Sequence, residues 1–164
     1  MRLILMRHAK SSWDDFSQPD HDRPLNARGR RNATTMGGWL RENAFLPDSV
    51  LCSTSARTRE TLALLDIAAP VTFEEPLYHG SPETLLNAFR HTTGHTVLLL
   101  AHNPGIGAFA SRLVKVRPTH PRFADYPTCA TLVAHCDITD WGALQPGTCQ
   151  VEAFAIPREV EDGL

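Results

Sequence analysis

Between Thr96 and His102 the chain reads TVLLLAH. Five consecutive apolar residues cannot mark one face of a helix, and they fall far short of the ~20 needed to cross a bilayer. A run of this kind is a strand buried on both faces, and such strands occupy the interior of parallel sheets with helices on either side. LILM at Leu3–Met6, SVLCS at Ser49–Ser53 and VTF from Val71 are further short runs of the same type.

Helical patterns separate these runs. From Asn26 to about Phe45, Asn26 can serve as N-cap, and Ala33, Met36, Trp39 and Leu40 share one face. The Gly37-Gly38 pair inside it either weakens the helix or marks close packing. SARTRETLALLDIA follows the second run. SPETLLNAFRH opens with Ser81 as cap, Pro82 at the first helical position and Glu83 in the first turn. NPGIGAFASRLV follows TVLLLAH, with Asn103 and Pro104 at its start. Beyond a proline-rich loop, CATLVAHCD and CQVEAFAIP read as two late strands paired at a sheet edge. Strands alternating with helices predict an α/β fold, a three-layer α/β/α sandwich with a mostly parallel central sheet. One domain is expected over residues 1–156, with 157–164 as a mobile tail.

Composition narrows the partners. The formal net charge is −2, which predicts neither a nucleic-acid nor a membrane surface. Arginine outnumbers lysine fourteen to two, and its planar fork suits phosphate. The apolar run at Leu3–Met6 is shorter than the ~7–15 residues of a secretory core, so a cytoplasmic location is expected. Cys52, Cys129, Cys136 and Cys149 form no Cys-x-x-Cys pair, and they are expected to be reduced thiols. His21, His79, His91, His95, His120 and His135 show no metal-ligand spacing and are expected at the surface.

Three runs end on matching polar residues. The first ends on Arg7 and His8, the second leads into STSARTRET with Arg57 and Arg59, and the fourth ends on His102 before Asn103. In an open parallel sheet all strand C-termini lie on one edge, where ligands bind. Arg7, His8, Arg57 and His102 should therefore converge on an anion, for which phosphate is the best fit. Arg59, two positions from Arg57, points to another face and is expected to be structural. A neutral imidazole can attack phosphorus and carry the phosphoryl group, while a second, protonated one holds the developing charge. Fixed cations would take the role of a metal, so no cofactor is expected.

LMRHAKSSW, DRPLNARGRRNA, CSTSARTRETL, LYHGSPETLL and LLLAHNPGI occur in that order over the first two-thirds of the chain. Together they resemble the histidine phosphatase superfamily, the phosphoglycerate-mutase-like fold. The short chain and the DRPLNARG and AHNP variants are most similar to the small phosphohistidine phosphatases, the SixA type. The resemblance implies that His8 is the nucleophile, that Arg7 and Arg57 bind phosphate, and that His102 is the second pocket histidine. Ala9 stands where the family motif has glycine. Asn103 joins the expected phosphate pocket.

The general acid is the open position. Glu83 lies in the region where larger members carry one, and Asp14, Asp15, His21 and Asp22 follow the first strand. Imidazole leaves more easily than an alkoxide, so phosphohistidine in a protein is the expected substrate, for example in a histidine phosphotransfer domain, with inorganic phosphate as product. The alternatives are a small-molecule phosphomonoesterase of the same fold, or a phosphate-binding scaffold without turnover. Trp13 and Phe16 are candidates for a substrate platform or for burial over the sheet.

Overall fold

The computed structural model describes residues 1–164. Its six strands are β1 (Arg2–Arg7), β2 (Ser49–Ser53), β3 (Val71–Glu74), β4 (Thr96–Ala101), β5 (Thr131–His135) and β6 (Gln150–Ala155). They form one sheet in the order β3-β2-β4-β1-β5-β6. The pairs β3–β2, β2–β4 and β4–β1 are parallel, whereas β5 runs antiparallel to β1 and β6. The helices are α1 (Ala27–Glu42), α2 (Ala56–Leu65), α3 (Pro82–Arg90), α4 (Gly105–Leu113) and α5 (Pro157–Glu161). None is long and apolar enough to cross a membrane.

Side chains of a strand alternate between faces, and here both faces are apolar. Leu3, Leu5, Val97 and Leu99 pack with Leu85 and Phe89 of α3 and Ile106 and Phe109 of α4. Ile4, Met6, Leu98 and Leu100 pack with Met36 and Leu40 of α1 and Leu62 and Leu65 of α2. One sheet with a core on each side is the expected three-layer sandwich. It also explains why β4 is buried along its whole length.

Local chemistry sets the helix starts. Asn26, Ser55 and Ser81 each accept a hydrogen bond from the backbone N–H three residues on, at Gly29, Thr58 and Thr84. A Cβ on Gly37 would overlap the backbone of Leu65, so the glycine lets α1 and α2 touch. The order matters for function. Insertion of β4 between β1 and β2 places the C-terminal ends of three strands side by side.

Two expectations are corrected. Residues 157–161 are not a mobile tail but form α5, which packs on α1. Glu161 accepts hydrogen bonds from Asn32 and Thr35, and His120 meets Glu159 at 2.8 Å. Cys136 and Cys149 are not free thiols but form a disulfide, while Cys52 and Cys129 are free and buried. The cause is register: His135 opposes Gln150 in the β5–β6 pair, so the next residues outward face each other with Cα atoms 4.4 Å apart.

Candidate active site

β1 ends at Arg7 and β4 at Ala101, which are partners in the parallel register. The chain therefore delivers His8 and His102 together, and the His8 N–H donates to the Ala101 carbonyl at 3.1 Å. The two imidazole centroids lie 5.0 Å apart. Both rings are buried.

Each ring has a fixed orientation. His8 Nδ1 lies 2.7 Å from the carbonyl oxygen of Ala9. Only an N–H can bond to a carbonyl, so Nδ1 carries the proton and Nε2 holds the lone pair. His102 Nε2 lies 2.7 Å from Ser53 Oγ, and that histidine is the only side-chain or backbone partner of the fully buried hydroxyl. If Ser53 donates to Nε2, no hydroxyl hydrogen is stranded. Nδ1 of His102 then carries the proton as a donor, and it has no partner in the protein.

Arg7 donates through Nη1 to the Tyr126 carbonyl at 3.1 Å. Arg57, at the start of α2, donates to Asp20 twice, to the backbone oxygen at 2.7 Å and to Oδ2 at 3.1 Å. The Nε atoms of both arginines are buried without a partner. Of the four such side-chain atoms in the molecule, three are donors from Arg7, Arg57 and His102. Buried donors left unpaired are costly, and a concentration of them among two guanidinium groups and two imidazoles is a binding surface for an oxyanion.

Burial, with the charges of Arg57, Arg7 and Arg23 adding to it, pushes the His8 imidazole down to about 3. Burial, then the neighbouring His8 and Arg57, pushes His102 down to about 2. Both rings are thus neutral near pH 7. For His8 this is the state a nucleophile needs. For His102 it corrects the expected imidazolium: the ring contributes an N–H rather than a charge.

Glu83 does not reach this group. It lies in the first turn of α3 with its side chain 71% exposed and paired with Arg112. Its own backbone N–H and Arg112 lower its pKa, so it is a poor acid as well as a remote one. Asn103 also has a different role. Its Nδ2 donates to the carbonyls of Asp125 and Tyr126, both at 3.0 Å. Only an acceptor oxygen remains, which would repel an anion, so Asn103 ties two loops together. Arg59 is structural, as expected, donating to the Thr54 carbonyl and stacking on Phe73. Trp13 is 55% and Phe16 89% exposed, so neither is buried over the sheet. Trp13 lies against the Arg23 guanidinium. Ala9 is fully buried with ordinary φ, and its N–H donates to Thr61 Oγ1. A methyl therefore fits where the motif has glycine.

Sequence reasoning missed Ser53, Asp20, Thr61 and Tyr78. The Tyr78 hydroxyl donates to Asp20 Oδ2. That bond, with the charges of Arg57 and Arg23, holds the Asp20 carboxyl down at about 2. No group of three or more His, Cys, Asp or Glu side chains is arranged to hold a metal ion.

Similarity to known proteins identifies the family and the fold. The profile of the histidine phosphatase superfamily (branch 1) matches residues 3–78. An uncharacterized Mycobacterium tuberculosis protein, Rv1276c, is 38% identical over 160 residues, spanning 93% of this chain and all of that one. The solved structure of the "Putative Phosphohistidine Phosphatase SixA" from Nakamurella multipartitia is 32% identical, covers 95% of each chain and superposes with a TM-score of 0.79. The protein histidine phosphatase SixA complexed with tungstate, at 20% identity, covers 98% of this chain and 99% of its own, and shares the fold with a TM-score of 0.78. The chain is a SixA-like member of the histidine phosphatase superfamily.

Proposed function

We propose that the protein is a metal-independent phosphatase that works through a covalent phosphohistidine at His8, with phosphohistidine in proteins as its substrate. One observation carries the reading. The Ala9 carbonyl holds the Nδ1 proton of His8, which leaves Nε2 as the lone pair beside the unpartnered donors of Arg7, Arg57 and His102.

The steps follow from these positions. Nε2 of His8 forms a bond to phosphorus as the P–N bond to the substrate imidazole breaks. That imidazole, protonated on its other nitrogen beforehand, takes the electron pair and departs neutral. The two arginines and the His102 N–H hold the equatorial oxygens as charge shifts onto them. The phosphorylated His8 ring keeps its Nδ1 proton on the Ala9 carbonyl, which makes it a good leaving group in turn. Water then attacks phosphorus, the P–Nε2 bond breaks, and dihydrogen phosphate leaves.

The substrate class follows from acid chemistry. The carboxyl nearest Arg57, that of Asp20, is held down at about 2 and has no proton to give at neutral pH. Glu83 is remote. A departing alkoxide would need such a proton, whereas a protonated imidazole does not.

The test is to incubate the protein with a radiolabelled phosphohistidine donor in the presence of EDTA. An acid-labile, alkali-stable label is expected, absent in His8→Ala. Persistence of the label in that variant overturns the nucleophile. Turnover of p-nitrophenyl phosphate or alkyl phosphates above that of phosphohistidine supports the phosphomonoesterase instead. Phosphate binding without turnover of any donor supports the scaffold.

A further inference from the structure

Most arginines outside the pocket have a strong partner in the protein. Arg2, Arg23, Arg30 and Arg112 meet carboxylates, and Arg41, Arg59 and Arg90 meet backbone carbonyls. Arg28 and Arg31 of α1 meet neither, and nor does Arg117, which lines a separate groove. Arg28 and Arg31 line one cleft of about 440 Å³ with Arg122 and Arg158, over a floor that includes Pro127 and Thr128. All four arginines are exposed. Arg122 and Arg158 have only surface neighbours three or four residues along the chain, and the Arg158 pair is stretched to 3.9 Å. Glu161 is the only carboxylate lining the cleft, and it is occupied by Asn32 and Thr35. A chain of net charge −2 thus gathers four arginines at a single concave place, where Arg28 and Arg31 have no carboxylate partner, Arg122 keeps Asp125 at 3.0 Å and Arg158 keeps Asp162 at 3.9 Å.

The cleft is joined to the active site through the backbone. Tyr126, just before its floor, accepts the Arg7 hydrogen bond, and the Cys129 N–H, just after it, donates to the carbonyls of Arg7 and His8. From the other wall, α1 rests on the loop after β1, where the Asn26 N–H donates to the Lys10 carbonyl.

We propose that this cleft docks an acidic protein surface, a carboxylate-bearing segment flanking the residue whose phosphoryl group enters the His8 pocket. The inference rests on the phosphoprotein reading above and adds which surface of the substrate is read. Four guanidinium forks spread over three segments match several separate carboxylates better than a single phosphate. A single-stranded nucleic acid would want aromatic platforms along the groove, and no aromatic residue lines it. A lipid surface would want an exposed apolar rim, and the one hydrophobic lining residue, Ile156, is buried.

The experiment compares two peptides carrying the same phosphohistidine, one with glutamates on both sides and one with glutamines. The wild-type protein should show kcat/KM about five- to tenfold higher for the glutamate peptide. The double variant Arg31→Gln/Arg158→Gln should erase that preference while turning over phosphoimidazole at the wild-type rate. Equal turnover of both peptides by the wild type overturns the cleft and leaves the phosphatase reading intact. An equal fall with phosphoimidazole overturns it too, since the arginines would then be structural. If no phosphohistidine donor is turned over, the phosphatase reading fails, and fluorescence anisotropy with labelled decaglutamate decides the cleft separately. Binding that the double variant weakens supports it; no binding, or tighter binding of tripolyphosphate or an oligonucleotide of equal charge, overturns it.

Discussion

Ser53 decides what His102 can do. The hydroxyl is fully buried and touches one partner, Nε2 of a ring 49 residues away in sequence. Donation from Ser53 puts the ring proton on Nδ1, the nitrogen without a partner. Ser53→Ala removes that bias and frees the ring to take the other tautomer, in which Nδ1 offers a lone pair to an anion. Losing one donor to a developing oxyanion costs about 2.7–4 kcal/mol in comparable sites, so kcat/KM should fall by about 100-fold while the fold survives. Steady-state rates with phosphoimidazole, and nitrogen-15 shifts of the His102 ring, would measure it; an unchanged rate would mean that the tautomer is set elsewhere. The same residue shows where sequence reading ends. Arg7, His8 and His102 are legible because each closes or follows an apolar run, and Arg57 because the second run leads into it. Ser53 reads only as the last residue of a strand, and Asp20 as one of several acids in a loop. Their roles come from contacts across the sheet edge, and no local pattern encodes those.

Among the secondary-structure elements, legibility follows burial and caps. The two-faced strands and the Asn26 and Ser81 caps are visible because hydrophobic runs and cap chemistry are local. The α5 segment is not, because PREVEDGL has the composition of a tail and is held by α1 rather than by its own propensity. Cys136 and Cys149 were equally hidden, since their pairing follows from the register of β5 on β6. The seating of α1 gives a test with opposite signs at two glycines. A Cβ on Gly29 would overlap the Lys10 carbonyl oxygen, whereas one on Gly38 would meet nothing. In an unhindered helix, alanine in place of glycine stabilises by about 1 kcal/mol. Gly38→Ala should therefore raise the melting temperature. Gly29→Ala should lower stability by about 1–3 kcal/mol and reduce kcat with it, because the displaced backbone follows directly on His8 and Ala9. Thermal melts beside initial rates would read both effects. Stabilisation of both variants would show that α1 does not bear on the catalytic loop.

For the whole molecule, the pocket works against the fold it is built on. Two imidazoles are buried as neutral rings, with His8 down at about 3 and His102 at about 2, against roughly 6.5 in an unfolded chain. Below pH 6.5 the unfolded chain takes up protons that the folded rings refuse. Stability is therefore full above that pH and is lost as pH falls, until the folded rings themselves titrate near the lower values. The slope is at most about 1.4 kcal/mol per pH unit for each ring, so between pH 6.5 and 5 the pair can remove on the order of 2–4 kcal/mol. Comparison with a His8→Ala/His102→Ala variant separates the two rings from every other group. Urea unfolding at pH 7 and pH 5 should show a much smaller acid loss in the double variant than in the wild type. Equal losses would mean that the rings are protonated in the folded protein. His8 would then have no free Nε2 lone pair at the pH where the imidazolium dominates, and labelling at low pH would fail with it. Stability and chemistry thus share one cause: the burial that makes the fold acid-sensitive keeps the nucleophile unprotonated at neutral pH.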